Sequence, residues 1–180
     1  VGRTDKHLTT RNEYALKHNL MPFSVSSPNF GLAEQVNDPW VGDAKFADGC
    51  VTISGPENID ARNWYKENSI PVFAYSSLAR GFLAGVFKST EPETAKQVID
   101  EPGILGYYCE SNIERLRRCE ILAKEKNVTV AQIAMAWIYN QPFEVFALSS
   151  PVTEQQIMEN IAAIDIILNE DERKWLNLEV

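Results

Sequence analysis

The sequence predicts an α/β fold, on three observations. Helix starts of the form Ser/Thr/Asn-x-x-Glu/Gln recur along the chain, a pairing that satisfies orphan amides at a helix N-terminus from both ends. Between them stand short, nearly continuous apolar runs bounded by Pro or polar residues, the pattern of strands buried on both faces. The two kinds of segment alternate, which is the order of a parallel sheet with helices outside it.

Thr10 with Glu13 marks the first helix start, and Pro22–Val25 is the first apolar strand. Phe30 to Gly55 reads as a loop, carrying Asp38-Pro39-Trp40, Val41-Gly42-Asp43 and Asp48-Gly49. A helix begins near Pro56, whose missing amide suits a first helical position, and runs to about Asn68. The strand Ile70–Tyr75 follows, then a second loop-like stretch from Gly81 to Gly106 with Gly85, Pro92 and Pro102-Gly103. Ser111/Glu114 and Thr129/Gln132 open two helices with apolar spacing behind each cap, including Ile113, Leu116 and Cys119, then Ile133, Ala134 and Trp137. Val145–Leu148 is the last strand, and Thr153/Gln156 and Asn169/Glu172 start the last two helices. Each strand ends in a small polar cluster: Ser24 with Ser26 and Ser27, Ser76–Ser77, and Ser149–Ser150. In parallel α/β proteins ligands bind at the C-terminal ends of strands, and long loops that follow those ends line the site.

At 180 residues the chain has the size of one domain. Hydrophobic residues make up 44% and charged residues 23%, an ordinary globular composition. A formal charge of −8 argues against non-specific nucleic-acid binding and against an anionic membrane surface. No apolar run approaches the ~20 residues that span a bilayer, and Val1 to Arg11 is too polar for a signal peptide. Three widely spaced cysteines, Cys50, Cys109 and Cys119, fit a reducing compartment rather than a disulfide framework or a thiolate zinc site. These features describe a soluble, cytoplasmic, acidic domain. His7 and His18 are solitary and read as solvated, with no metal-ligand spacing. Cys109 follows Tyr107-Tyr108 in a polar stretch and reads as an inert cysteine. Arg115, Arg117 and Arg118 with Lys124 and Lys126 read as a solvated basic face. Glu170-Asp171-Glu172 sits in a first helical turn, where it favours the dipole.

The strongest chemical signal is Ala74-Tyr75-Ser76-Ser77-Leu78-Ala79-Arg80-Gly81, directly after a strand. It resembles the A-Y-S-P-L-x-R-G segment of aldo-keto reductases. Val1-Gly2-Arg3-Thr4-Asp5 is similar to that family's I-G-x-S-N at the end of its fifth strand. Pro22-Phe23-Ser24-Val25-Ser26-Ser27-Pro28 is similar to the sixth strand, which usually ends in N-Q-P. Ser150-Pro151-Val152-Thr153, leading into Gln156-Ile157-Met158-Glu159-Asn160, resembles the eighth-strand segment that holds the adenosine end of NADP. The resemblance implies a TIM-type (β/α) barrel, whose eight units of ~30 residues need about 240–250 in all. The expectation is therefore a partial barrel: residues 1–180 as a single domain with strands five to eight, the first at Val1–Thr4, and the N-terminal half absent. The family's catalytic Tyr, Lys, Asp and His belong to that missing half, so no catalytic residue is assigned in this chain.

By the same resemblance the cofactor-binding residues are Thr4, Asp5, Ser27, Tyr75, Ser76, Leu78, Arg80, Ser150, Val152, Thr153, Gln156, Glu159 and Asn160. Tyr75 matches the ring that stacks on the nicotinamide. Thr4-Asp5 replaces Ser-Asn, and an ionised Asp removes one donor. Ser27 replaces a Gln, Ser150 a Lys and Gln156 an Arg, so two phosphate-binding cations are missing and the preference between NADP and NAD is open. The function implied is hydride transfer from NAD(P)H to a small carbonyl substrate, with this chain cradling the cofactor. The alternative is a non-catalytic half-barrel serving as a regulatory or interaction domain. Half a barrel exposes strand edges and an apolar face, so a homodimer or a complex with the missing half is expected. Its interface would draw on Phe23, Val25, Val72, Ala74, Phe146 or Leu148.

Overall fold

The computed structural model describes residues 3–39 and 52–180. Helix α1 (Arg3–Lys17) comes first, and a 3-10 turn at Pro56–Asn58 leads into helix α2 (Ile59–Asn68). Strand β1 (Val72–Ala74) is followed by the short helices α3 (Ala95–Val98) and α4 (Glu101–Tyr107). Helices α5 (Glu110–Lys126) and α6 (Val130–Tyr139) precede strand β2 (Val145–Ala147), and α7 (Glu154–Ala162) and α8 (Glu170–Leu176) close the chain.

β1 and β2 pair in parallel, with Val72 opposite Val145 and Ala74 opposite Ala147. On the other edge of β1, Ser26 makes a parallel bridge to Val72, and its carbonyl accepts from the Phe73 amide at 2.8 Å. Two of the four expected strand regions therefore pair in parallel and in chain order, and the chain just beyond the expected Pro22–Val25 strand joins the other edge of β1 through Ser26. The sixth-strand segment is displaced from its expected place. Pro22 has no amide to donate, and the amide and carbonyl of Phe23 are both bonded to the Asn12 side chain, at 2.8 and 3.0 Å. Pairing begins only at Ser26. The strand expected at Val1–Thr4 is a correction: Arg3 and Thr4 are helical, and Val1 and Gly2 lie outside the described residues. A helix satisfies its backbone within its own segment, whereas a strand needs a partner beside it.

Four helix starts follow the expected chemistry. Thr129/Gln132 and Asn169/Glu172 form complete capping boxes. Thr153 accepts from the Gln156 amide, while the Gln156 side chain accepts from Val152 one residue before the cap. Pro56 opens the predicted helix through its 3-10 turn. Two starts are corrected: Thr10 and Glu13 lie inside α1, and α5 begins at Glu110 behind Cys109, with Glu114 drawn instead to Arg117 and Arg118. The second loop-like stretch contains α3 and α4, too short for a periodic apolar signal.

Helix α6 is buried on nearly every side, packing against α5, α7 and β2. Trp137 meets the ring of Phe30 at 5.3 Å and donates from Nε1 to the Arg173 carbonyl at 3.1 Å. On β1, Val72 and Ala74 are fully buried against this core. Among the described residues the opposite sheet face is open. Phe73 stacks on Phe146 at 5.0 Å, and Phe146 remains 46% exposed, with Phe23, Val25 and Leu148 also exposed. Val72 and Ala74 therefore cannot serve the expected interface.

The basic face of α5 is also corrected. Arg115 is 1% exposed, donating to Asn112 Oδ1 at 3.1 Å and reaching Glu34 at 3.5 Å. Asn112 bonds both the amide and the carbonyl of Glu34, at 2.9 and 2.8 Å. Together they fasten the segment after Phe30 to α5. Arg118 lies over the Trp175 ring and donates to the carbonyls of Trp175 and Val180.

Candidate functional site

The turn that follows β1 is tightly wound. Ser76, Ala79, Arg80 and Gly81 all have positive φ, between 52° and 94°. Each left-handed non-glycine residue is held against a cost of about 1–2 kcal/mol, a pattern concentrated at functional sites. Hydrogen bonds from Ala79 to Ser76 (2.7 Å) and from Gly81 to Leu78 (3.0 Å) close the turn. Buried Ser77 occupies the family segment's Pro position, and its hydroxyl lies within reach of the Ala74 and Leu148 carbonyls, at 3.1 and 2.9 Å. It ties the C-terminal ends of β1 and β2 together.

Those two ends open into a cavity of about 700 Å³, within the size range of small-molecule sites. Ser76, Leu78 and Arg80 line it from the turn after β1. Ser150, Thr153, Gln156, Glu159 and Asn160 line it from the β2–α7 junction and α7. Eight residues singled out in sequence thus share one cavity, although the two segments stand some seventy positions apart. The N-terminus of α7, capped by the Thr153 hydroxyl, faces it and brings the positive end of the helix dipole.

The other five expected residues stand elsewhere. Tyr75 is half-buried just before the turn, bonded through its amide to the Pro28 carbonyl and through its carbonyl to the Phe30 amide, both at 3.3 Å. Ser27 is exposed and donates to the Phe73 carbonyl at 2.7 Å. Val152 is 87% exposed and does not line the cavity. Thr4 and Asp5 belong to the first turn of α1 rather than to a strand end, and their side chains lie outside the described residues.

Sequence reasoning missed Asp100. It lines the same cavity from the N-cap of α4, where its Oδ1 accepts from the Gly103 amide at 2.9 Å. Arg80 donates to it with two nitrogens, Nε to Oδ1 at 3.2 Å and Nη2 to Oδ2. This pairing holds the Asp100 carboxyl below the usual carboxylate range and raises Arg80. Asp100 followed by Glu101-Pro102 is a readable helix start, but no local pattern joins it to Arg80. Arg80 is the one cation among the described lining residues, facing the acids Asp100 and Glu159. Gln156 and Glu159 are also engaged locally, with Val152 and Gln155 at 2.8 Å each. Among the described residues, Cys109 Sγ contacts Ser111 Oγ at 3.2 Å and Cys119 is buried, which pushes its thiol pKa up.

Residues 58–177 match the sequence model of the aldo/keto reductase family. The chain is 27% identical over 123 residues to the NADP(+) aldo-keto reductase yakc of Schizosaccharomyces pombe, covering 67% of this chain and 35% of that protein. It is 26% identical over 148 residues to a probable voltage-gated potassium channel subunit beta of Arabidopsis thaliana, covering 75% of this chain and 45% of that protein. The chain thus spans less than half the length of these curated relatives. A solved aldo/keto reductase from Klebsiella pneumoniae, in complex with NADP and acetate, aligns with a TM-score of 0.47 at 18% identity, over 86% of this chain and 39% of that one.

Proposed function

The chain belongs to the aldo/keto reductase family, and we propose that it is the cofactor-cradling, C-terminal part of an NAD(P)H-dependent oxidoreductase acting on a small carbonyl compound. The observation that carries this reading is the convergence of eight resemblance-assigned residues on one cavity at the C-terminal ends of β1 and β2. In this reading the chain is a single domain, the C-terminal part of a TIM-type barrel with the regions of strands six to eight, and it is cytoplasmic. Free Cys109 and Cys119 support the last point.

The residues present suit a dinucleotide of low charge. The cavity has the volume for one and a helix N-terminus for its phosphates. Leu78 offers an apolar surface, and Glu159 and Asn160 offer polar contacts for an adenosine. They do not suit an additional phosphate. Ser150 and Gln156 are neutral, and Arg80 is already paired with Asp100. When bound, the nicotinamide supplies a hydride. The residues of this chain bind and orient it, and the acid that protonates the carbonyl oxygen belongs to the N-terminal half.

Amide chemical shifts of the 180-residue chain, followed while NADH is added to millimolar concentration, test the reading. Weak binding that moves residues 76–81 and 149–160 supports it. No movement there at saturation overturns it.

A second reading, a non-catalytic regulatory or interaction half-barrel, draws support from Asp5, Ser27, Ser150 and Gln156 and from the likeness to proteins named as potassium channel subunits. In either reading the Phe73–Phe146 face needs a cover. A second copy of the chain is the simplest closed solution, and the N-terminal half of the barrel is the other.

A further inference from the structure

Asp100 is the N-cap of α4, outside both segments that the family resemblance assigns to the cofactor. It is fixed from two sides. The Gly103 amide holds one oxygen as a helix cap, and Arg80 donates to both oxygens as a fork. Arg80 starts from a left-handed backbone, φ 54°, inside the turn closed by Gly81 and Leu78, and its guanidinium is drawn to Asp100 by the two-point pairing. The one cation among the described lining residues is therefore neutralised where it stands, and Glu159 leaves the cavity's charged side chains with a surplus of negative charge.

We propose that Asp100 is a specificity-determining residue. By withdrawing Arg80 from ligand phosphates, it makes the cavity favour a dinucleotide without a 2′-phosphate. The proposal rests on the reading of the cavity as a cofactor cradle. Charge–charge energies in a partly enclosed site exceed those in bulk water, so a ligand bearing an extra dianion suffers most from the acid surplus. It would also gain most from a released guanidinium, which binds phosphate bidentately.

The test is parallel titration of NADPH and NADH into the full chain and its Asp100→Asn variant, read by amide shifts and by nucleotide fluorescence. Asn keeps an oxygen for the Gly103 cap but carries no charge, and Asp100→Ser, another good cap, serves if Asn misfolds. The expected result is a roughly tenfold rise in the NADPH-to-NADH affinity ratio, lost again in the double variant Arg80→Gln/Asp100→Asn. Glu159→Gln removes one acidic charge and leaves Arg80 paired, so its ratio should move much less. An unchanged ratio in both Asp100 variants, or an equal rise in Glu159→Gln, overturns the proposal while nucleotide binding itself stands. If neither nucleotide moves the cavity amides in any form, the cradle reading falls and takes the proposal with it.

Discussion

A Cβ on Gly31 would stand 2.8 Å from the Ser77 carbonyl oxygen. The chain just beyond the Ser26 bridge thus passes directly against the turn that borders the cavity. This contact is backbone on one side, so no rotamer change relieves it. Gly31→Ala should destabilise the protein by about 1–3 kcal/mol, the range for overpacking. Urea unfolding measures the loss, and broadening or displacement of the Ser76–Gly81 amides should accompany it.

Arg115 should prove a structural residue. Its guanidinium is desolvated, which lowers its pKa, and it bonds Asn112 beside Glu34. Arg115→Ala leaves these groups without their cation and should lower stability by about 3 kcal/mol. Arg115→Met, which refills the volume, should lose less. Denaturant midpoints for the two variants provide the check.

Glu114 accepts from Arg117 at 2.7 Å through each oxygen and from Arg118 at 2.9 Å, which pulls its pKa from 4.5 to about 2. A depressed folded-state pKa contributes stability that is fully present above the unfolded value and is lost as pH falls through the folded one. The advantage over Glu114→Gln should therefore hold above pH 4.5 and fade toward pH 2. Because the cluster is solvent-facing, its size should be about 0.5 kcal/mol. Urea midpoints measured across that interval test the sign.

The open sheet face should drive self-association. Phe73 and Phe146 stack on it, with Phe23, Val25 and Leu148 also exposed. Light scattering at micromolar concentration should give a mass near twice the 20.3 kDa of the chain. Phe146→Asp should return it to the single-chain value. A 20.3 kDa species for the unaltered protein removes the second copy as the cover.

Much of the fold was legible because it is written in short-range chemistry. The boxes at Thr129/Gln132 and Asn169/Glu172 join residues three apart, so the same pattern that signals them also builds them. The apolar runs at Val72 and Val145 announced the pair that forms. The false starts at Thr10 and Ser111 show the limit of that logic. Cap-like pairs occur within helices, and Glu114 found stronger partners in two arginines four residues or fewer away. Continuous hydrophobicity showed that β1 and β2 belong in a sheet, but it could not tell which face the remaining chain would cover.

The cavity divides in the same way. In the sequence, the family resemblance together with the polar clusters after two strands pointed to two segments that line it, Ser76–Arg80 and Ser150–Asn160. Only the tertiary structure decided what those side chains meet. Asp100 reaches Arg80 across 20 positions and Glu34 reaches Arg115 across 81. Such pairs leave no periodic trace, since they depend on how intervening loops and helices return the chain to the same place. Local hydrogen bonding writes helices and strand ends into the sequence, while the charge each functional residue finally presents is set by neighbours that packing brings to it.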